Sequence, residues 1–162
     1  MRLSYILPVI LFFPLLLIQV TVVPLFSLNG SVPDLLLIIL VYYTLQHGQI
    51  YGTVLGFIFG FLFDLITGGL IGSAMISKTI AGFTAGYFSK ETQRDQYLRS
   101  FLLCLIVLLC ASVDSIIYSF FSSIDLSSNV LLLLFEQGLM PALYTSIIST
   151  ILLLFSPRGG IR

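Results

Sequence analysis

The sequence predicts an all-α membrane protein of six transmembrane helices, and three observations lead there. Of 162 residues, 58% are hydrophobic and only 9% charged. A soluble domain carries about 25% charged residues, so this chain lacks the side chains to cover a water-facing surface. Length is the second observation. At ~20 residues per span plus short loops, about six helices fit, as a single integral membrane domain over residues 1–162 that leaves no segment for a soluble catalytic domain. Third, the polar breaks fall where six spans need them. Seven Lys/Arg balance seven Asp/Glu, which excludes a nucleic-acid binder with a basic face and a highly charged disordered regulator.

The first helix is expected over 3–26, since no charge lies between Arg2 and Asp34. Pro8, Pro14 and Pro24 are expected to kink or end it. A cleaved signal peptide competes, but the apolar run exceeds the usual 7–15 residues and no A-x-A-like site follows. Residues 27–33 are a turn by composition. Pro33-Asp34 then opens a second apolar run, expected over 34–47 and short for a span. A third helix follows over 50–67, closed by Gly68-Gly69, and a fourth over 70–88. The polar segment 89–99 precedes a fifth helix over 100–122, and a sixth lies over 130–155, interrupted by Glu136, Gly138 and Pro141.

Orientation follows from the bases. With six spans, Arg2, Lys90, Arg94, Arg99, Arg158 and Arg162 share one side, whereas the opposite loops hold Asp125 and, nearby, Asp34. By the positive-inside rule both termini are expected to be cytoplasmic.

The most ordered pattern is Gly52-x-x-x-Gly56-x-x-x-Gly60-x-x-x-Asp64, with Gly68 and Gly72 continuing the spacing. Residues four apart on a helix drift by only about 40°, so the glycines form one shallow groove that lets a partner backbone approach closely. Packing of helices three and four is the favoured reading over an intermolecular docking face. Ala81-Gly82 and Ala85-Gly86 repeat the device on the fourth helix.

Ionisable residues inside a bilayer are costly and mark functional candidates with named partners. Here they are Asp64, Lys78 and Asp114, with Asp34 and Glu136 near outer helix ends. The acids gather in the outer half with one lysine beneath them. An Asp64–Lys78 pair is the expected compensation, shared with Asp114 or replaced by it. A fold-specifying network is favoured over a cation or proton path, because the inner half has no acid to continue a relay.

Other chemistry lacks parts. The lone histidine, His47, is expected as a solvated residue of an inner loop rather than a ligand. Cys104 and Cys110, six apart in one helix, do not share a face and read as packing residues. No G-x-S-x-G, H-E-x-x-H or P-loop motif occurs, so no catalytic residue, metal or cofactor is expected.

Pro33-Asp34-Leu35-Leu36-Leu37, Gly56-Phe57-x-x-Gly60-Phe61-x-x-Asp64 and the following Gly72 resemble the bacterial rod-shape-determining MreD family. Length, short tails, six spans and a single basic inner loop extend the resemblance to the whole chain. It implies a non-enzymatic inner-membrane scaffold subunit of the cell-wall elongation machinery. It further implies work with MreC, MreB, a peptidoglycan polymerase and its transpeptidase, no nucleic acid, and a homo-oligomer as one allowed state. The fold implied is similar to the substrate-binding subunits of energy-coupling-factor transporters. Asp34, Gly56, Gly60 and Asp64 match the family pattern, whereas Gly52, Lys78 and Asp114 come from the spacing and charge arguments. The alternative is a solute-binding subunit of a vitamin-type transporter. Such subunits usually dock through an A-x-x-x-A pair on the first helix, and this first helix contains no alanine.

Overall fold

The computed structural model describes residues 3–27, 32–68, 70–89, 102–122 and 140–155, all of them helix, turn or short connection. The six bases that set the expected orientation lie outside the described residues, as do Asp125, Glu136 and the stretch 130–139. Among the described residues, six α-helices follow one another: α1 (Leu3–Thr21), α2 (Leu35–His47), α3 (Gln49–Thr67), α4 (Ser73–Gly86), α5 (Leu102–Ser122) and α6 (Met140–Phe155). Of these, α3 and the stretch Leu102–Phe121 of α5 are long and apolar enough to cross a membrane, and shorter apolar stretches lie at Ile10–Leu25, Leu35–His47 and Met140–Ile151.

Two boundaries differ from expectation for identifiable reasons. Helix α1 tolerates Pro8 and Pro14 but stops at Thr21, and a 3₁₀ turn (Val23–Phe26) follows with Pro24 in its first turn. A proline has no N–H to continue the α ladder and is favoured at such a start. Helix α4 begins at Ser73 rather than at residue 70, because Gly72 adopts φ 109°, a left-handed conformation that stops the helix from extending backwards. Pro141 sits in the first turn of α6, where its missing N–H costs nothing.

Helix α2 organises the core. Among its 13 residues, Leu36, Leu37, Ile38, Leu40, Val41, Tyr43, Thr44 and Leu45 are buried, so most of this helix is covered by its neighbours while Tyr42 stays exposed. Leu37, Val41 and Leu45 lie one turn apart and pack with Ala81, Ala85, Val107, Cys110 and Ala142 of α4, α5 and α6. Leu36, Leu40 and Tyr43 face the other way and pack with Phe12, Leu16, Leu55 and Phe59 of α1 and α3. The Phe12 and Phe59 rings meet with centroids 4.4 Å apart. Helix α2 thus divides the apolar interior in two and holds both halves in register.

A single residue, Gly48, joins α2 to α3. Its φ of 98° reverses the chain while its N–H still caps the Thr44 carbonyl at 2.8 Å. His47 is therefore the last residue of α2 and half-buried, not a solvated loop residue. Its Nδ1 lies 3.1 Å from the Tyr43 carbonyl, and its ring stands 6.0 Å from that of Tyr43 and 4.7 Å from that of Tyr51.

Candidate functional site

The seam between α3 and α4 is the most extensive helix contact in the described bundle, and the glycine ladder builds it. A Cβ placed on Gly60 would lie closer than 3.0 Å to the backbone of Ala74 and Met75, and one on Gly56 would meet the Lys78 carbonyl as tightly. Gly82 stands in the same relation to the Gly52 carbonyl, and Gly86 to Gln49. Each step of four along α3 meets a step of four back along α4, so the two backbones run antiparallel in direct contact. The other side of Gly52 receives the Thr44 side chain of α2. The groove legible in the sequence is filled by the chain's own fourth helix.

At the end of this ladder, Asp64 takes a role that its spacing did not reveal. Its Oδ2 accepts from the N–H groups of Gly72 at 2.8 Å and Met75 at 3.1 Å, and its Oδ1 accepts from Ala74 at 3.1 Å. The first N–H groups of a helix have no partner within it, and Gly72 offers no side chain to cap them. Asp64, only 2% exposed, caps α4 from the neighbouring helix and places a negative charge at the positive end of its dipole. The expected Asp64–Lys78 pair does not form, because both carboxylate oxygens are already engaged by these amides.

Lys78 instead joins two other acids. Its Nζ is bonded to Asp34 Oδ2 and lies 3.3 Å from Asp114 Oδ2. The ammonium also stands 5.7 Å from the centre of the Phe63 ring, within cation–π range. Lys78 is 3% and Asp114 6% exposed, so the ion pairs are shielded from water on all but the Asp34 side. The Ser77 hydroxyl, next in sequence to Lys78, is buried and donates to the Ala74 carbonyl at 3.2 Å.

Asp34 binds this cluster to the rest of the bundle. Its Oδ1 accepts from the Leu37 N–H at 3.0 Å, which makes it the N-cap of α2. Its own N–H donates to Thr145 Oγ1 of α6, also at 3.0 Å. On either side, Gln19 of α1 donates from Nε2 to the Pro33 carbonyl at 2.7 Å and accepts at Oε1 from the Leu35 N–H at 3.0 Å. Gln19, Asp34, Lys78, Asp114 and Thr145 thus connect α1, α2, α4, α5 and α6 in one polar knot at the end where α2 and α4 begin. Asp64 ties α3 to the same end.

Gln19, Ser77 and Thr145 escaped the sequence reading. Gln19 left a signal, as the one amide side chain within an otherwise apolar run from Leu3 to Phe26. Ser77 and Thr145 left none, since serines and threonines are frequent throughout this chain. The Cys110 thiol is buried in the apolar core, and that of Cys104 accepts from Thr150 Oγ1 at 3.1 Å, linking α5 to α6.

Chemically, the knot holds ammonium, carboxylate and amide groups engaged with one another. Among the described residues, no group of three or more His, Cys, Asp or Glu side chains is placed to hold a metal ion. The family model of the rod shape-determining protein MreD matches residues 1–156. The chain belongs to the MreD family. Membership gives it a role in rod-shape determination, within a family of bacterial membrane proteins that are structural and not known as enzymes. Among curated proteins and among solved structures, nothing matches the chain. The residues that carried the MreD resemblance fall at the start of α2 (Asp34) and along the α3–α4 seam (Gly56, Gly60 and Asp64).

Replacing Asp64 separates capping from charge pairing. Asp64→Leu removes two acceptor oxygens and the three hydrogen bonds they receive, and the expected loss is on the order of 3 kcal/mol for buried N–H groups left unsatisfied. Asp64→Asn keeps one amide oxygen and is expected to lose about 1 kcal/mol. Hydrogen exchange at Gly72, Ala74 and Met75 checks this: these amides exchange fastest in the Leu variant and at an intermediate rate in the Asn variant.

Proposed function

We propose that the chain is a non-enzymatic scaffold subunit of the bacterial cell-wall elongation machinery. It spans the inner membrane six times with both termini in the cytoplasm, and docks MreC and associated peptidoglycan synthesis proteins. The observation that carries this reading is what the buried polar groups do. Asp34, Asp64, Lys78 and Asp114 each bond to backbone amides or to one another across helices, which is the work of a rigid frame. Membership of the MreD family supports the cellular setting. The charge asymmetry of the sequence supports the orientation, with the polar knot in the outer half of the bilayer.

A frame of this kind presents its partner with outward helix faces whose geometry depends on the seams behind them. Gly60→Leu and Asp64→Leu are therefore expected to insert into the membrane yet retain less MreC on co-purification. Neither is expected to restore rod shape fully to a strain lacking the protein. Wild-type recovery of MreC with both variants contradicts the scaffold role, and tight binding of a vitamin by the purified protein favours a transport subunit instead.

A further inference from the structure

The polar knot contains more negative charge than its visible partners balance. Asp34 and Asp114 bring two carboxylates to one ammonium, that of Lys78. Asp64 adds no cation, being engaged by backbone amides alone among the described residues. Among the described residues, Lys78 reaches Asp114 only through Oδ2, while Asp114 Oδ1 is sealed from solvent and has no hydrogen-bond partner. A bare carboxylate oxygen in such a place carries the full cost of desolvation with nothing in return.

We propose that the Asp34–Lys78–Asp114 cluster is a binding site for one exchangeable proton, carried on Asp114 Oδ1 and reached from the membrane surface past Asp34. Charge balance requires one further positive charge, and the packing decides its kind. A metal ion needs several oxygen ligands and room for them, whereas the described residues offer no third acid, His or Cys to complete a metal site. A proton needs no cavity. The entry side follows from exposure: the Asp34 side chain is 25% exposed, against 4% for Lys78 and 9% for Asp114. Water at that end exchanges the proton without opening the bundle.

The groups that face Asp114 define what the proton answers to. Helix α2 contributes Asp34 and α4 contributes Lys78. On α5 itself the titratable residues one turn away are Cys110 and Tyr118, and on α6 the titratable residue is Tyr144. Removal of either acid therefore leaves one carboxylate against one ammonium, and the proton is released.

Infrared difference spectroscopy of the full chain in lipid nanodiscs at neutral pH tests this, in sodium and in choline buffers. Wild type is expected to show a protonated-carboxyl band that shifts in heavy water and is absent from Asp114→Asn. The same band is expected to vanish in Asp34→Asn, which keeps an N-cap on α2 and provides the readout even where the Asp114 variant does not assemble. No such band in wild type, or its persistence in Asp34→Asn, overturns the proposal. A wild-type thermal transition raised by sodium over choline, with no carboxyl band, overturns it in favour of a bound alkali cation.

Discussion

Gly60→Leu is expected to separate α3 from α4 and abolish rod-shape complementation while leaving membrane insertion intact. Even a methyl group on Gly60 would lie closer than 3.0 Å to backbone atoms of Ala74 and Met75. A backbone cannot yield as a flexible side chain does, so the helices must move apart by the width of the new group. Overpacking of this kind costs typically ~1–3 kcal/mol, and more where the clash is with main chain. Parting the helices at Gly60 also withdraws Asp64 from the amides it caps, so one substitution removes two devices. Gly56→Leu is expected to do the same at the Lys78 carbonyl. Phe57→Leu serves as the contrast, because the Phe57 side chain is exposed and its replacement is expected to change stability by less than ~0.5 kcal/mol. Thermal unfolding in detergent, read beside cell shape, checks the ranking. Gly60→Leu with the stability of wild type would mean that the α3–α4 seam is not held by backbone contact.

Lys78→Met is the second large effect. It keeps most of the stem length and removes the ammonium, leaving Asp34 and Asp114 face to face without a cation. Breaking a buried ion pair from one side typically costs about 3–5 kcal/mol, much of it the cost of the charge left behind. The remaining carboxylates can recover part of this by binding protons, so the loss is expected to be smaller in acid than at neutral pH. The sign follows from the charge count: protons neutralise what Lys78 no longer balances. A double-mutant cycle with Asp114→Asn is expected to give a coupling energy on the order of 1–3 kcal/mol. Additive losses would show that the two side chains do not share one site.

Some of this was legible in the residues and some was not, and the division has a physical cause. Glycines every four residues fix a groove on one helix face, because that periodicity is local and follows from helix geometry alone. That α4 fills the groove was the favoured reading, since its own Ala-Gly steps match. Asp64 and Asp114 are buried, as their place in apolar runs suggests, and Lys78 does share Asp114. The Asp64–Lys78 pair does not form and the Asp34–Lys78 bond was not legible, because partner choice depends on where helices begin rather than on what they contain. Asp64 and Lys78 look paired when α4 is drawn from residue 70. Once Gly72 sets its start at Ser73, the first-turn amides stand opposite Asp64 and Lys78 turns toward α2 and α5. Asp34 could be read as the opening of a helix, but its bond to Lys78 joins residues 44 apart in sequence, a distance at which no periodic signal survives.

In the proposed scaffold, the buried charges keep a frame together rather than conduct or catalyse. The most direct test is rod-shape complementation by a chain in which the cluster is neutral throughout: Asp34→Asn, Lys78→Met and Asp114→Asn combined. Replacing a buried ionic cluster by neutral groups of similar volume is often tolerated, whereas removing one member is not. The combined variant is therefore expected to restore rod shape where Lys78→Met alone fails. A combined variant that folds and co-purifies like wild type yet leaves cells round would show that the charge itself is required, and would contradict the scaffold account.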